Sequence, residues 1–352
     1  MSAAKPSLIA NDEVWLLLDS QIFGGIETHV IELAQGLRSH EIAVRVVLIA
    51  QYSPTPPIIQ RLRAEKIEFS FLNELCPNHN SAYQQLCFSL KHYSPRLIHA
   101  HGYKASLLSK LAKVSGVLKA ATQVSTYHAG ETPTGRVWLY DWLDRYSSFV
   151  SNHSLVVSDK IKAKLPTHST LLNNFIAIPS QPQCYASNIG FVGRLSHEKG
   201  ADRFIQVAQL HQGMTFDVYG DGPEKYDLQA QASCNVIFHG HQNHMESVWN
   251  NIGILMITSR YEGLPMAALE AMGRGIPVIS LAVGNMPNLI THEENGYIAQ
   301  SIDELHRYLT HWKNLSSEQQ QVVRQNAIRT VESHYSPNAV IPQLLKCYFP
   351  PP

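Results

Sequence analysis

Short apolar runs alternate with longer stretches of helical periodicity along this chain of 352 residues, and the alternation begins twice. The first set is VWLLLD (14–19), AVRVVLIA (43–50), RLIHAH (96–101), ATQVST (121–126) and SLVVS (154–158). A Pro- and Gln-rich stretch, IPSQPQ at 178–183, separates it from NIGFVG (188–193), TFDVYG (215–220), NVIFHG (235–240), GILMIT (253–258) and IPVIS (276–280). Near-continuous apolar strands are buried on both faces, which suits a parallel sheet covered by helices on either side. The length also exceeds what one ordinary hydrophobic core serves. The expectation is therefore an α/β protein with two doubly wound domains, 1–181 and 182–335, facing a central cleft at the carboxyl ends of their strands. The last segment, about 336–352, is apolar enough to form a helix that packs back on the first domain.

Charge is balanced, with 28 basic and 28 acidic residues, which argues against a nucleic-acid partner. Residues 1–181 hold 17 Lys and Arg against 13 Asp and Glu, and the remainder holds 11 against 15, so the first half is mildly electropositive. The five cysteines, Cys76, Cys87, Cys184, Cys234 and Cys347, are scattered and form no CxxC pair, as in a reduced cytoplasmic protein. The opening MSAAKPSLIANDEVW lacks the apolar stretch of a secretory signal, and no window reaches the roughly 18 apolar residues of a membrane span. Membrane contact is thereby limited to a peripheral one at the inner face. Lys104, Lys110, Lys113 and Lys119 beside LLSKLA offer a basic helix face for it, or a merely solvated one.

The chemistry concentrates in SRYEGLPMAALEAMGRGIPVIS (259–280). Pro265 suits a helix start, MAALEAM is built of strong helix formers, and Gly273 and Gly275 are placed to stop a short helix. Backbone N–H groups around Gly263, Leu264, Met266 and Ala267 then face any nearby phosphate. Glu262 precedes that anion site and Glu270 lies inside the helix, roughly 7.5 Å along its axis from the start. Carboxylates repel phosphate, so these two read hydroxyls, and the pair fits opposite ends of a nucleoside diphosphate sugar. Earlier, GFVGRLSHEKG places Arg194 and Lys199 around a turn at a strand's carboxyl end, where a guanidinium and an ammonium can neutralise a diphosphate. In the first half, FGGIETHVIELAQGL puts Gly24 and Gly25 between a strand and a helix, a loop that lets backbone approach phosphate or simply turns. His101 and His128 end strands and either contact a ligand or pack. No GxGxxG fingerprint supports a nicotinamide or flavin, and HGH at 239–241 lacks a third ligand, so no tightly bound metal or cofactor is expected.

Taken together, the glycine loop, the TYH strand end at 126–128, VVS at 156–158, GFVGRLSHEKG, VYGDGPE and the glutamates Glu262 and Glu270 eight residues apart resemble the retaining glycosyltransferases of family 4. The resemblance covers nearly the whole chain and implies the GT-B architecture of two Rossmann-like domains. It implies that Arg194 and Lys199 bind the donor diphosphate, that backbone at Gly25 and at Leu264 to Ala267 contacts phosphate and sugar, and that Glu262 reads the donor sugar and Glu270 the ribose. His128 is similar to the family's active-site histidine. The implied donor is a nucleoside diphosphate sugar, a UDP-sugar ahead of a GDP-sugar, and the implied acceptor a glycan or lipid-linked molecule in lipopolysaccharide or capsule synthesis. The alternatives are an epimerase or phosphorylase of the same architecture, which would need its own acid and base or a cofactor lysine, and a non-catalytic relative that binds sugar nucleotide or a partner glycosyltransferase, against which the intact Glu262, Glu270, Arg194 and Lys199 argue. Two departures stand out: Asn288 replaces the usual glutamate after Gly284, and Thr258 the usual proline.

Overall fold

The computed structural model describes residues 12–118, 121–128, 136–178, 186–242 and 245–350. The chain divides between Asn174 and Phe175 and again between Ser336 and Pro337, so that one compact unit holds the two outer pieces and the other the continuous middle.

The first unit is built on a seven-stranded parallel sheet: β1 (Val14–Leu18), β2 (Val44–Leu48), β3 (Phe69–Phe71), β4 (Leu97–His101), β5 (Thr122–Tyr127), β6 (His153–Val156) and β7 (Thr170–Leu171). Their spatial order is 3-2-1-4-5-6-7, with Val14 opposite Val44 on one side and Leu97 on the other. Every residue of β1 is buried, as its unbroken apolar run requires. Arg45 on β2 is also buried and is neutralised there by Glu13, whose two oxygens accept from the guanidinium at 2.9 and 3.1 Å. The helix Pro337–Tyr348 belongs to this unit and buries Tyr348, whose hydroxyl bonds His99 Nδ1 on β4.

The second unit repeats the plan with β8 (Asn188–Val192), β9 (Phe216–Tyr219), β10 (Val236–Gly240), β11 (Ile252–Ile257), β12 (Val278–Leu281) and β13 (Tyr297–Ala299), in the order 10-9-8-11-12-13. Side chains alternate between two cores: Ile254 and Met256 join Phe191, Phe204 and Phe216, while Leu255 and Ile257 join Leu264, Leu269 and Met272 on the other face. In both sheets the order reverses beside the first strand, between β1 and β4 and between β8 and β11. That is where doubly wound sheets open a crevice at the carboxyl ends of their strands.

The lysine-rich face expected on the helix Tyr103–Val114 does not form. Lys110 turns inward, 3% exposed, and donates to Asp144 Oδ1 at 2.6 Å and Tyr127 Oη at 2.9 Å. Lys104 pairs with Asp19 and Lys113 bonds Asn152, while Lys119 lies outside the described residues. No helix among the described residues is long and apolar enough to cross a membrane.

Candidate functional site

In the second unit the chain leaves β8 through Gly193 and exposed Arg194, then makes a short turn of 3-10 helix at His197–Lys199. Gly200 comes next at φ +65°, and a side chain there would drive its Cβ to 2.3 Å from the Thr258 carbonyl oxygen. This approach brings the β8 turn against the chain leaving β11. Thr258, buried completely, donates its hydroxyl to the Gly200 carbonyl at 2.8 Å, a bond that proline could not make. Arg260 grips both oxygens of Asp202 at 2.8 and 2.6 Å and so fastens the same loop to the helix Ala201–Gln209.

On this scaffold Lys199 Nζ donates to Glu262 Oε1 at 2.7 Å, and Ser259 Oγ donates to the same oxygen at 2.7 Å. The Glu262 side chain is 9% exposed and that of Lys199 30%. The carboxylate is thus aimed by two donors on one oxygen, and no hydrogen bond from a described residue reaches its other oxygen. A second loop locks the position from behind. Gly284, at φ +56°, comes so close to the Glu262–Gly263 backbone that an added Cβ would lie 2.3 Å from the Gly263 oxygen and 2.4 Å from that of Glu262. Asn285 N–H donates to the Gly263 carbonyl at 2.7 Å.

Pro265 stands just outside the helix Met266–Gly273 in extended conformation, and Arg274 ends it before Gly275 at φ +71°. Leu264 and Met266 are buried, whereas Gly263 and Ala267 are partly exposed. Glu270, also partly exposed, accepts from Trp249 Nε1 at 3.0 Å. Glu262 and Glu270 are therefore held by separate partners, Ser259 with Lys199 in one case and Trp249 in the other. Sequence reasoning missed Ser259 and Trp249, although Ser259 sits at the three-residue spacing from which a hydroxyl reaches a later carboxylate.

In the first unit Gly24 and Gly25 are exposed at the start of the helix Gly25–Ser39, and the Gly24 N–H donates to Glu27 Oε2 at 2.9 Å. Glu27 caps the helix from its third position, and burial raises its pKa. His101 closes β4 and His128 comes directly after β5, and they meet through His101 Nδ1 and His128 Nε2 at 3.1 Å. His29, from the same helix, joins them with ring centroids 5.5 and 4.9 Å away. His99 lies 4.1 Å from His101, bonded to Thr126 and Tyr348. Burial holds these imidazoles neutral: His29 is lowered to about 4, and His99, His101 and His128 fall well below the ordinary value, each lowered further by neighbouring rings. No spacing in the sequence betrays this group, because its members are spread over about 100 residues; in HGH, the more conspicuous motif, His239 is tied to Asp217 at 2.7 Å.

Two family models match the chain: one described as Glycosyltransferase Family 4 over residues 23–171, and one described as Glycosyl transferases group 1 over 187–330. Among curated proteins, it is 34% identical to a 2-deoxystreptamine glucosyltransferase of Streptomyces kanamyceticus over 30% of each chain. It is 29% identical to an O-antigen biosynthesis glycosyltransferase of Escherichia coli over 42% of this chain and 43% of the relative. The chain thus spans less than half the length of either. Among solved structures it is similar to Anabaena HepE, crystallised with UDP and glucose, at a TM-score of 0.81 and 17% identity, covering 96% of this chain and 99% of that one. Staphylococcus aureus TarM gives 0.82 at 11% identity, with 96% and 100% covered. These likenesses show that the fold is GT-B.

Proposed function

The chain belongs to the family 4 glycosyltransferases, and on that premise we propose that it moves a hexose from a nucleoside diphosphate sugar to a glycan or lipid-linked acceptor with retained anomeric configuration. The observation that carries this reading is the Glu262 carboxylate, fixed by Lys199 and Ser259 where β8 and β11 diverge, with the Arg194 guanidinium free to solvent nearby in the same turn. Arg194 and Lys199 serve the leaving diphosphate, whose developing charge is best met by cations already in place. Glu262 takes donor-sugar hydroxyls on its open oxygen, Glu270 the ribose, and Gly263, Leu264, Met266 and Ala267 line the path between. His128, with His101 behind it, and the Gly24–Gly25 loop belong to the acceptor side. In same-face attack the departing phosphate oxygen takes the acceptor proton, so no separate base is needed.

Support for a UDP-sugar over a GDP-sugar comes from the UDP named with HepE, and support for a cell-surface glycan from the O-antigen relative. In this reading the protein works at the inner face of the membrane as a peripheral protein. The surface suited to that contact is the helix Arg136–Tyr146, where Trp138, Tyr140 and Trp142 are 46, 47 and 40% exposed, rather than the lysines.

Thermal melting with UDP-, GDP-, ADP- and CMP-sugars tests the donor assignment. A ligand at a hundred times its Kd stabilises the folded chain by about 2.7 kcal/mol. The expected result is the largest rise with a UDP-sugar; no rise with any of the four would refute the donor site.

A further inference from the structure

His29, His101 and His128 each bring one ring nitrogen within 4.8 Å of the other two. His29 and His101 are each 2% exposed, and His128 stands at the half-buried rim. His101 Nδ1 and His128 Nε2 face each other at 3.1 Å, and the other His101 nitrogen, Nε2, is buried without a hydrogen-bond partner among the described residues. His99 differs although it touches the group, since both its nitrogens are taken, by Tyr348 and by Thr126. The three rings come from the helix Gly25–Ser39, the end of β4 and the residue after β5, and β4 and β5 are paired in the sheet from Leu97–Thr122 to His101–Thr126.

We propose that His29, His101 and His128 bind one late first-row transition-metal ion, with zinc as the ion of choice, through three imidazole nitrogens and with one position left open. Imidazole donors suit zinc, copper or nickel and not magnesium or calcium. Zinc bonds of 2.0–2.1 Å in a tetrahedral set separate neighbouring nitrogens by about 3.3 Å. The His101–His128 pair already stands at 3.1 Å, so the remaining closure falls mainly to His29. Asn174 lies close enough to the His29 ring to raise its pKa against the effect of burial, a polar neighbour of the kind that orients a metal-binding imidazole. The ion would take the His128 nitrogen assigned above to the sugar and acceptor, so it defines a closed state of the first unit rather than a step of transfer.

The test reads the ion itself and therefore stands apart from the transfer reading. The full chain, stripped with a chelator and dialysed, is titrated with Zn2+ by calorimetry and with Co2+ by visible absorption. The expected result is one equivalent per chain at micromolar Kd or tighter, with the intense ligand-field bands of low-coordinate cobalt. His29→Gln, His101→Gln and His128→Gln should each weaken binding at least tenfold. His211→Gln, which breaks the His211–His306 pair of the second unit, should leave it unchanged. Should the buried variants fail to fold, His128→Gln at the rim decides. Absence of saturable binding, wild-type affinity in folded His128→Gln, or loss of binding in His211→Gln would each overturn the proposal.

Discussion

Glu262 accepts from Lys199 and Ser259 on one oxygen, which fixes the direction of its carboxylate before any ligand arrives. Glu262→Ala removes that direction and Arg194→Ala removes an exposed cation, so both should lower kcat about 100-fold or more with little change in Tm. Lys199, left without its partner, is solvated enough that the loss in stability stays under about 1 kcal/mol. Steady-state rates and melting curves on the two variants decide, and unchanged rates would refute the assignment. The buried histidines bear on stability as well. His29, His99, His101 and His128 are neutral when folded, whereas unfolded histidines take up a proton near 6.5, so below that pH the unfolded chain binds more protons. Stability should fall as the pH drops from 6.5 toward 4, and denaturant melts at pH 7 and 5 measure it; equal midpoints would show that the rings are charged in the fold. That Lys199 and Glu262 meet was not legible, since they stand in two motifs 63 residues apart, although each motif singled out its own residue. His29 was not singled out at all, since on its own helix it reads as one more polar residue on an apolar face.

Among the elements, ten strands announced themselves as apolar runs. Those that escaped, β3, β7 and β13, are edge strands of three, two and three residues, too short for any period to be read. Loops were harder still, because their shape is set by partners distant in sequence. In the sequence Gly284 marks only the start of a departure from the family, yet its positive φ and its contact with the backbone of Glu262 and Gly263 hold the site loop in place. Gly284→Ala should cost about 1–3 kcal/mol through backbone strain and should shrink the thermal shift given by the donor. A variant that melts and binds like the parent would show that the loop yields freely. Thr258 is a milder case: a departure from the family in sequence, it recovers a purpose as a hydroxyl bound to the Gly200 carbonyl.

At the scale of the molecule, two doubly wound sheets were legible because each needs the same repeated alternation, and the outer limits of the units were less so because linkers carry no period. Residues 175–336 own a complete sheet and two cores, so they should fold alone with a cooperative transition by circular dichroism. A broad, non-cooperative melt would show dependence on the rest of the chain. The first unit cannot be obtained by trimming one end, since loss of the helix Pro337–Tyr348 takes away Tyr348 and uncovers His99. The chain enters the second unit beside the point where it leaves, with the Ile176 N–H donating to the Tyr335 carbonyl at 3.0 Å. Both seams therefore lie at one place, and the second unit is in effect a cassette spliced into the first. Exchanging it for that of a relative requires two cuts a few ångströms apart, and the first unit keeps its whole sheet and its helix Pro337–Tyr348 through such an exchange.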